Sequence, residues 1–223
     1  MIICPAQPFD IFQIMNIERQ SFIPQIQEKK RVFEKRLKIF PEGFLVLADS
    51  SDEVVLKNKT ALVTGYLCSE LWDSLPDFEI LQSKNEKEQK SALKKIEKRF
   101  ELGHNPLSTH KTTGPFLYIS SFALLKDYRG KKYGENFFKN SVAALCCAMP
   151  HIKKVVVLVN SEWQSAIKIY EKLQFQKIAT LTEFFPTIQK KVNSDGIIMT
   201  SDAKNFRDIE FAHTENDFGG IKI

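Results

Sequence analysis

The strongest constraint on the fold is a regular alternation of strand and helix patterns in the second half of the chain. Short β-forming runs alternate there with longer segments in which apolar residues recur at helical spacing. The strand patterns lie at 116–125, 154–159, 175–181 and 196–199, and the helix patterns at 135–149 and 165–173. Such alternation predicts an α/β or α+β domain in which helices cover a sheet.

The first half supplies further strands and helices for the same domain. A chain of 223 residues is long enough to bury a sizeable core in one domain. We therefore predict one domain over 1–202, a charged helical insertion over 82–101 and a polar C-terminal tail over 203–223. The other patterns are strands at 1–5, 44–48 and 60–72, the last two forming a hairpin, and helices at 9–20 and 25–39.

Composition excludes several classes of protein. No apolar run approaches the ~20 residues that span a bilayer, and the first residues lack the pattern of a signal peptide. Four cysteines without a Cys-x-x-Cys pair favour a reducing, cytoplasmic compartment. The formal net charge of +5 is mildly basic, but no basic stripe interleaved with aromatic residues predicts a nucleic-acid partner. We expect a monomer or a homodimer that binds neither nucleic acid nor a membrane.

A basic, glycine-bearing turn at 126–134 is the segment most indicative of a ligand. It follows a strand and opens a helix, and free N–H groups at a helix start bind anions. Gly130 and Gly134 allow close approach of a pyrophosphate, and Arg129, Lys131 and Lys132 add positive charge. The turn is suited to a phosphorylated ligand, although an ordinary basic surface turn has the same composition.

Two segments resemble motifs of the GNAT superfamily of N-acetyltransferases. Arg129-Gly130-Lys131-Lys132-Tyr133-Gly134 resembles the pyrophosphate loop Gln/Arg-x-x-Gly-x-Gly/Ala, with Lys132 in place of the central glycine. The run from Ala166 to Phe175 resembles Ala-Ile-x-x-Tyr-x-x-x-Gly-Phe, with Gln174 in place of glycine. Lys132 fits this pattern if its φ is negative and its N–H points inward.

The resemblance implies a fold and a cosubstrate. The fold is an α/β/α sandwich of the α+β class, with a mixed sheet of about six to seven strands that splays between the fourth and fifth. The cosubstrate is acetyl-CoA, without a metal, and acetyl passes directly to an amine in a ternary complex. The backbone of Phe122, Ala123 and Leu124 would hold the thioester, and the loop residues from Arg129 to Tyr133 and Gly134 the pyrophosphate.

The same resemblance gives two further side chains a role. Tyr170 stands at the position of the general acid that protonates the leaving thiolate, and a packing tyrosine is its alternative. Asn160 would either bind pantetheine or cap the following helix. An alkylamine must also lose a proton before attack, since its pKa of ~10 keeps it protonated at neutral pH.

The group that accepts this proton is open among several residues. Glu70, Tyr118, His104 and His110 are candidates, and each also has an ordinary structural or surface role as its alternative. Alternation along a strand places Tyr118 and Ser120 on one face, where they would hold a water chain.

The first half also resembles the arylalkylamine N-acetyltransferases. The similar segments are 17–22, 65–73 and 102–106, although Tyr118 and Ser120 replace that subfamily's histidine pair. The acceptor we expect is a primary amine of a small molecule. A protein N-terminal or lysine acetyltransferase, or a non-catalytic CoA-binding module, remains an alternative.

Overall fold

The computed structural model describes residues 1–49, 61–82, 85–188 and 192–209, with the backbone of 212–213 and 221–222. The predicted hairpin connection after Asp49, and part of the predicted tail, lie outside the described residues. The strands are β1 (Ile2–Pro5), β2 (Phe44–Ala48), β3 (Val63–Trp72), β4 (Phe116–Leu124), β5 (Lys154–Asn160), β6 (Gln176–Phe185), β7 (Ser194–Asp202), β8 (Ala212–His213) and β9 (Ile221–Lys222).

Most of the longer helices begin and end within a few residues of the bounds predicted from the sequence. In the described part of the chain no helix has the length and apolar character needed to cross a bilayer. The helices are α1 (Ile11–Ser21), α2 (Lys30–Ile39), α3 (Glu86–Phe100), α4 (Pro106–Thr109), α5 (Tyr133–Ala148), α6 (Gln164–Lys172) and α7 (Lys204–Arg207).

All described strands belong to one mixed sheet, in the order β6-β7-β5-β4-β3-β2-β1-β9-β8. The β4–β5 pair is parallel, and every other pair is antiparallel. β1 to β7 are the strands of four or more residues, and the short β8–β9 hairpin extends the edge at β1. The predicted mixed sheet between helical layers is confirmed.

Buried residues form a cluster on each face of the sheet and a third beneath α3. One face packs against α5, α6 and α7, where Phe137, Phe138 and Phe206 are fully buried. The other face packs against α1 and α2 through Ile14, Ile17 and Phe33. Phe206 lies beyond residue 202, so packing continues past the predicted domain boundary, which itself stays a prediction.

The insertion at 82–101 has a packing role that its charged sequence did not predict. Its helix α3 buries Ile96 and Phe100 against Trp72 and Tyr118 in the third cluster. The Arg99 guanidinium lies 4.5 Å from the Trp72 ring centroid. Two apolar residues one helical turn apart, together with Arg99 and the partly buried Leu93, therefore attach this charged helix to the sheet.

Candidate active site

The parallel strands β4 and β5 separate halfway along their length. They pair from Phe116 with Lys154 to Ile119 with Val157, and no further. Beyond that point β4 still pairs with β3 as far as Leu124, while β5 pairs with β7 to its end at Asn160. The predicted splay between the fourth and fifth strands is confirmed, and it opens the centre of the sheet.

The splay leaves backbone donors of β4 without a strand partner. The N–H of Leu125 donates to the Thr64 carbonyl on β3 at 2.8 Å. Because backbone groups alternate in direction along a strand, the N–H of Ala123 faces β3 and those of Phe122 and Leu124 face the splay. Two of the three predicted thioester-binding residues therefore have their donors on the open side.

The turn before α5 presents a run of free N–H groups. None of the N–H groups from Gly130 to Glu135 has an acceptor among the described residues, and the first bonded one is that of Asn136, which donates to the Lys132 carbonyl. Consecutive N–H groups in such a turn make an anion-binding concavity. The turn thus has the donors that a pyrophosphate needs.

Lys132 does not adopt the negative φ that the sequence interpretation required. Its φ is 63° and it serves as the N-cap of α5, so a lysine stands in the left-handed region that favours glycine. Gln174, the second replacement of a motif glycine, has a φ of 60°. Both residues therefore adopt a backbone conformation that favours glycine.

Arg129 ties this turn to the splayed strand. Its Nε and Nη2 donate to the Leu124 carbonyl at 2.9 and 2.7 Å, and Nη2 also donates to the Ser21 hydroxyl at 2.7 Å. The side chain thereby fixes the loop against the end of β4 and the end of α1. Lys131 and Lys132 remain exposed at the loop surface.

A cavity of about 120 Å³ lies at the splay. Trp163, Phe22 and Phe185 form one aromatic part of the cavity wall. The Trp163 ring centroid lies 5.4 Å from that of Phe22 and 5.5 Å from that of Phe185. The segments around the cavity come from both halves of the chain. The lining includes Glu18, Phe22, Ile26, Glu28, Arg36, Phe100, Glu101, Leu102, His104, Tyr118, Ser120, Ser121, Phe122, Trp163, Tyr170, Phe184 and Phe185.

Two tyrosine hydroxyls face this cavity. Tyr170 packs against Phe138 and Phe175, and Tyr118 packs against Trp72 and Phe100. Neither hydroxyl makes a hydrogen bond with a described residue, and both residues are buried. Burial raises the pKa of each phenol, so both stay protonated donors at neutral pH.

Ser120 does not share the face of Tyr118, because β4 carries a bulge. The β3–β4 register shifts between Cys68 and Ser69, and Ser120 is the extra residue. Its hydroxyl donates to the Cys68 carbonyl at 3.1 Å. Ser121, not Ser120, lies on the same face of β4 as Tyr118. The prediction that Tyr118 and Ser120 share a face is therefore wrong.

Glu18 is the cavity residue that the sequence interpretation missed. The carboxylate accepts a hydrogen bond from the Tyr66 hydroxyl and one of 2.8 Å from the Glu28 N–H. Tyr66 in turn lies 2.9 Å from the Ser121 hydroxyl. Burial raises the pKa of Glu18 to about 7, against the lowering effect of these bonds. Its signal was a carboxylate in the apolar stripe Ile11, Ile14, Ile17 of α1.

Glu70 lies in a different environment. It does not line the cavity, but it contacts Arg36 and His104, which do. It accepts hydrogen bonds from Thr109 at 2.5 Å and from the Trp72 indole at 3.3 Å, and His104 Nε2 lies 2.6 Å away. Arg36 Nε is 3.7 Å away, and Arg36 Nη2 also pairs with Glu28 at 3.2 Å. Burial opposes the ionisation of Glu70. The hydrogen bonds from His104 and Thr109 and the positive charge of Arg36 outweigh it and lower the pKa of Glu70 to about 2.

The remaining predicted residues have local partners. His104 is buried, and its other nitrogen lies 2.9 Å from the Glu101 carbonyl. His110 packs on Phe40 and accepts the Leu71 N–H at 3.2 Å; burial lowers its pKa. Asn160 Oδ1 accepts the Glu162 N–H at 2.9 Å in the turn before α6, whose N-cap is Trp163; pantetheine binding by Asn160 stays a prediction.

Comparison with known proteins identifies the fold but no sequence family. No protein-family model and no curated protein matches the sequence. Solved structures do match over nearly the whole chain. The loading GNATL domain of CurA from Lyngbya majuscula has a TM-score of 0.64 at 11% identity, with 92% of this chain and 98% of that chain covered.

Two acetyltransferase structures show the same likeness. The ribosomal-protein-S18-alanine N-acetyltransferase from Escherichia coli has a TM-score of 0.58 at 13% identity, covering 91% of this chain and 94% of its own. NAA60 of Arabidopsis thaliana in complex with acetyl-CoA has a TM-score of 0.58 at 14% identity, covering 91% and 98%. The chain therefore has the GNAT fold. The resemblance of its first half to arylalkylamine N-acetyltransferases stays a prediction.

Proposed function

We propose that this protein transfers an acetyl group from acetyl-CoA to a primary amine of a small molecule. One observation carries the proposal: six consecutive N–H groups, from Gly130 to Glu135, have no acceptor in the part of the chain that the structure describes, and they adjoin the open end of β4 and a cavity lined by Tyr170. The first feature suits a pyrophosphate, and the second suits a thioester beside a proton donor. The cytoplasm is the compartment that the cysteine pattern favours.

The reaction balances with residues on the cavity wall. The amine nitrogen forms a bond to the acetyl carbonyl carbon, and the carbon–sulfur bond of the thioester breaks. The Phe122 and Leu124 N–H groups are placed to stabilise charge on the carbonyl oxygen. An ammonium acceptor loses two protons in all: one passes to Glu18 before attack, directly or through water, and the other goes to the Tyr170 oxygen, whose own proton has passed to the leaving sulfur.

Glu18 is the preferred proton acceptor on physical grounds. A general base works best with a pKa near the operating pH, and the pKa of Glu18 is about 7. Glu70 has a pKa of about 2, and its oxygens already have three hydrogen-bond partners. We therefore assign Glu70 to positioning Arg36, His104 and the α4 segment, and Glu18 to proton transfer.

A protein N-terminal amine is the second candidate acceptor. The observation in its favour is the shared fold with the ribosomal-protein-S18-alanine N-acetyltransferase. A non-catalytic CoA-binding module fits less well. Lys132 and Gln174, the departures that suggest it, both have a glycine-like backbone, and the Tyr170 hydroxyl has no hydrogen-bond partner among the described residues.

Calorimetric titration with acetyl-CoA tests the binding step. Gly134→Asp would place a carboxylate at the free N–H groups, and we expect at least a tenfold weaker Kd, or about 1.4 kcal/mol. Asn136→Asp is the matched control, because it adds the same charge beside an N–H that is already bonded. Equal effects of the two variants would remove the turn from the site.

Thiol release with a panel of amines tests the transfer step. We expect release that depends on both acetyl-CoA and an amine, with a mass increase of one acetyl group on the amine. Binding of acetyl-CoA without thiol release for any small amine or peptide would support the non-catalytic module instead. Release with peptides alone would support the second candidate.

A further inference from the structure

The helix inserted before β4 forms part of the cavity beside Tyr118. Phe100, the last residue of α3, lines the cavity, and its ring centroid lies 5.3 Å from that of Tyr118 and 5.2 Å from that of Trp72. Glu101, Leu102 and His104 continue the same wall. The segment that looks like a solvated insertion in the sequence therefore limits the space available at the splay.

The size of the cavity restricts the group that enters it. An apolar cavity of about 150 Å³ accommodates benzene, whereas this cavity measures about 120 Å³. The same space must also receive an acetyl group. A linear aliphatic chain needs less of the remaining space than an aromatic ring or an amine on a branched carbon.

The charges on the cavity wall favour a cation. Glu18, Glu28 and Glu101 line the cavity, and Arg36 is its one guanidinium among the described residues. Arg36 is already shared between Glu28 at 3.2 Å and Glu70 at 3.7 Å. An alkylammonium ion would therefore find unneutralised carboxylate, and it would favour the ionised form of Glu18.

A wider space adjoins the cavity, and none of the residues 126–134 lines it. It measures about 470 Å³ and shares Ile26, Glu101, Leu102, Phe184 and Phe185 with the inner cavity. Glu97 and Glu183 add carboxylates there, alongside Lys94 and Lys98. The rest of an acceptor molecule has room in this outer space while its amine occupies the inner one.

We propose that the acceptor is an unbranched ω-alkylammonium group, and that Phe100 excludes wider amines. The inference rests on the proposed acetyl transfer and names the acceptor chemistry of the same cavity. A free linear diamine and a lysine side chain both carry such a group. An N-terminal α-amine, other than that of glycine, sits on a branched carbon and does not.

The test compares four acceptors on the full chain. They are 1,5-diaminopentane, 2-phenylethylamine, Nα-acetyl-lysine amide and a peptide with a free N-terminal serine. We expect kcat/KM for diaminopentane to exceed that for phenylethylamine and the serine peptide by about tenfold or more, the range that fit in an apolar pocket supplies. Equal use of Nα-acetyl-lysine amide would identify lysine as an alternative source of the group.

Phe100→Ala supplies the decisive variant. It should reduce the preference for diaminopentane over phenylethylamine by about tenfold, with an unchanged KM for acetyl-CoA. Phe78→Ala is the matched control, since Phe78 contacts the Phe100 ring without lining the cavity. Phe100→Leu replaces Phe100→Ala if circular dichroism shows that the latter is unfolded.

The outcomes separate this inference from the proposed function. Efficient wild-type use of phenylethylamine, or an unchanged preference in both folded Phe100 variants, overturns the assignment of Phe100 and the linear amine while acetyl transfer stands. Absence of transfer to every acceptor overturns the proposed function. Calorimetric titration of the CoA-bound protein with each of the four amines then tests the acceptor assignment separately. Tight binding of diaminopentane alone would still support an unbranched ω-alkylammonium group, and equal or absent binding of all four would overturn it.

Discussion

Two carboxylates near the candidate active site are equally buried and yet differ in chemistry. Glu18 on α1 and Glu70 on β3 are each 1% exposed. Glu18 has two hydrogen-bond donors and a pKa of about 7, whereas Glu70 has His104, Thr109, Trp72 and Arg36 around it and a pKa of about 2. The number of donors and cations, rather than burial, decides whether a carboxylate can exchange protons at neutral pH.

The two residues also affect stability in opposite directions. The pKa of Glu70 is lowered on folding, so its contribution is present above its ordinary pKa of 4.5 and is lost as the pH falls towards 2. The pKa of Glu18 is raised, so the folded state holds its proton more tightly. Stability is therefore lost as the pH rises from about 4.5 through 7. Glu70 stabilises the folded protein at neutral pH, and Glu18 does not.

The largest expected effect is the loss of stability when Glu70 is removed. Glu70→Ala leaves His104, Thr109 and Trp72 without their shared acceptor and removes one partner of the buried Arg36. We expect a fall of about 3–5 kcal/mol in the free energy of unfolding, measured in urea at pH 8. Glu18→Gln is the paired variant and should not destabilise at that pH. Similar losses for both would mean that the two environments are equivalent.

Tyr170→Phe should affect catalysis rather than stability. The ring keeps its packing on Phe138 and Phe175, and only a hydroxyl with no described partner is lost. We expect kcat to fall by about 100-fold with a nearly constant KM for acetyl-CoA. Tyr118→Phe should instead raise the KM for the amine, because it removes a hydroxyl without a described partner from the cavity in which the amine would bind. A Tyr170→Phe enzyme with normal kcat and a lower Tm would make Tyr170 a packing residue.

The smallest expected effect comes from Lys132, which lies outside both carboxylate networks. Lys132→Gly removes a side chain from a left-handed position and should stabilise the protein by up to about 1 kcal/mol. Acetyl-CoA affinity should change by less than about tenfold, since the backbone N–H remains. Gly130→Ala, at a φ of 75° with open space around it, should destabilise by about 1–2 kcal/mol. A hundredfold gain in affinity for Lys132→Gly would instead indicate a degraded site.

Much of the fold could be predicted because local patterns and tertiary packing agree. All four valines of the run at 154–159 are buried, and the predicted helix at 165–173 coincides with α6 within one residue. The turn at 126–134 was also visible, as a glycine-bearing basic segment between a strand and a helix, although an ordinary surface turn has the same composition. These features depend on short stretches of sequence.

The site residues were harder to predict because their roles depend on distant partners. The pKa of Glu18 depends on Tyr66, 48 residues away, and no local pattern shows that contact. The β4 bulge at Ser120 reversed an alternation that the sequence alone suggested. Helix α3 looked exposed because only Ile96 and Phe100 are fully buried on it, yet that pair places it on the cavity.

The pH dependence of kcat/KM in wild type and Glu18→Gln tests the central claim most directly. If Glu18, with its pKa of about 7, takes the proton from a bound ammonium ion, the wild-type value should rise to about pH 7 and then level off. In Glu18→Gln the amine must arrive deprotonated, so kcat/KM should lack this break and keep rising towards the amine pKa of ~10. Identical profiles with the break retained in Glu18→Gln would contradict the assignment of Glu18 as the proton acceptor.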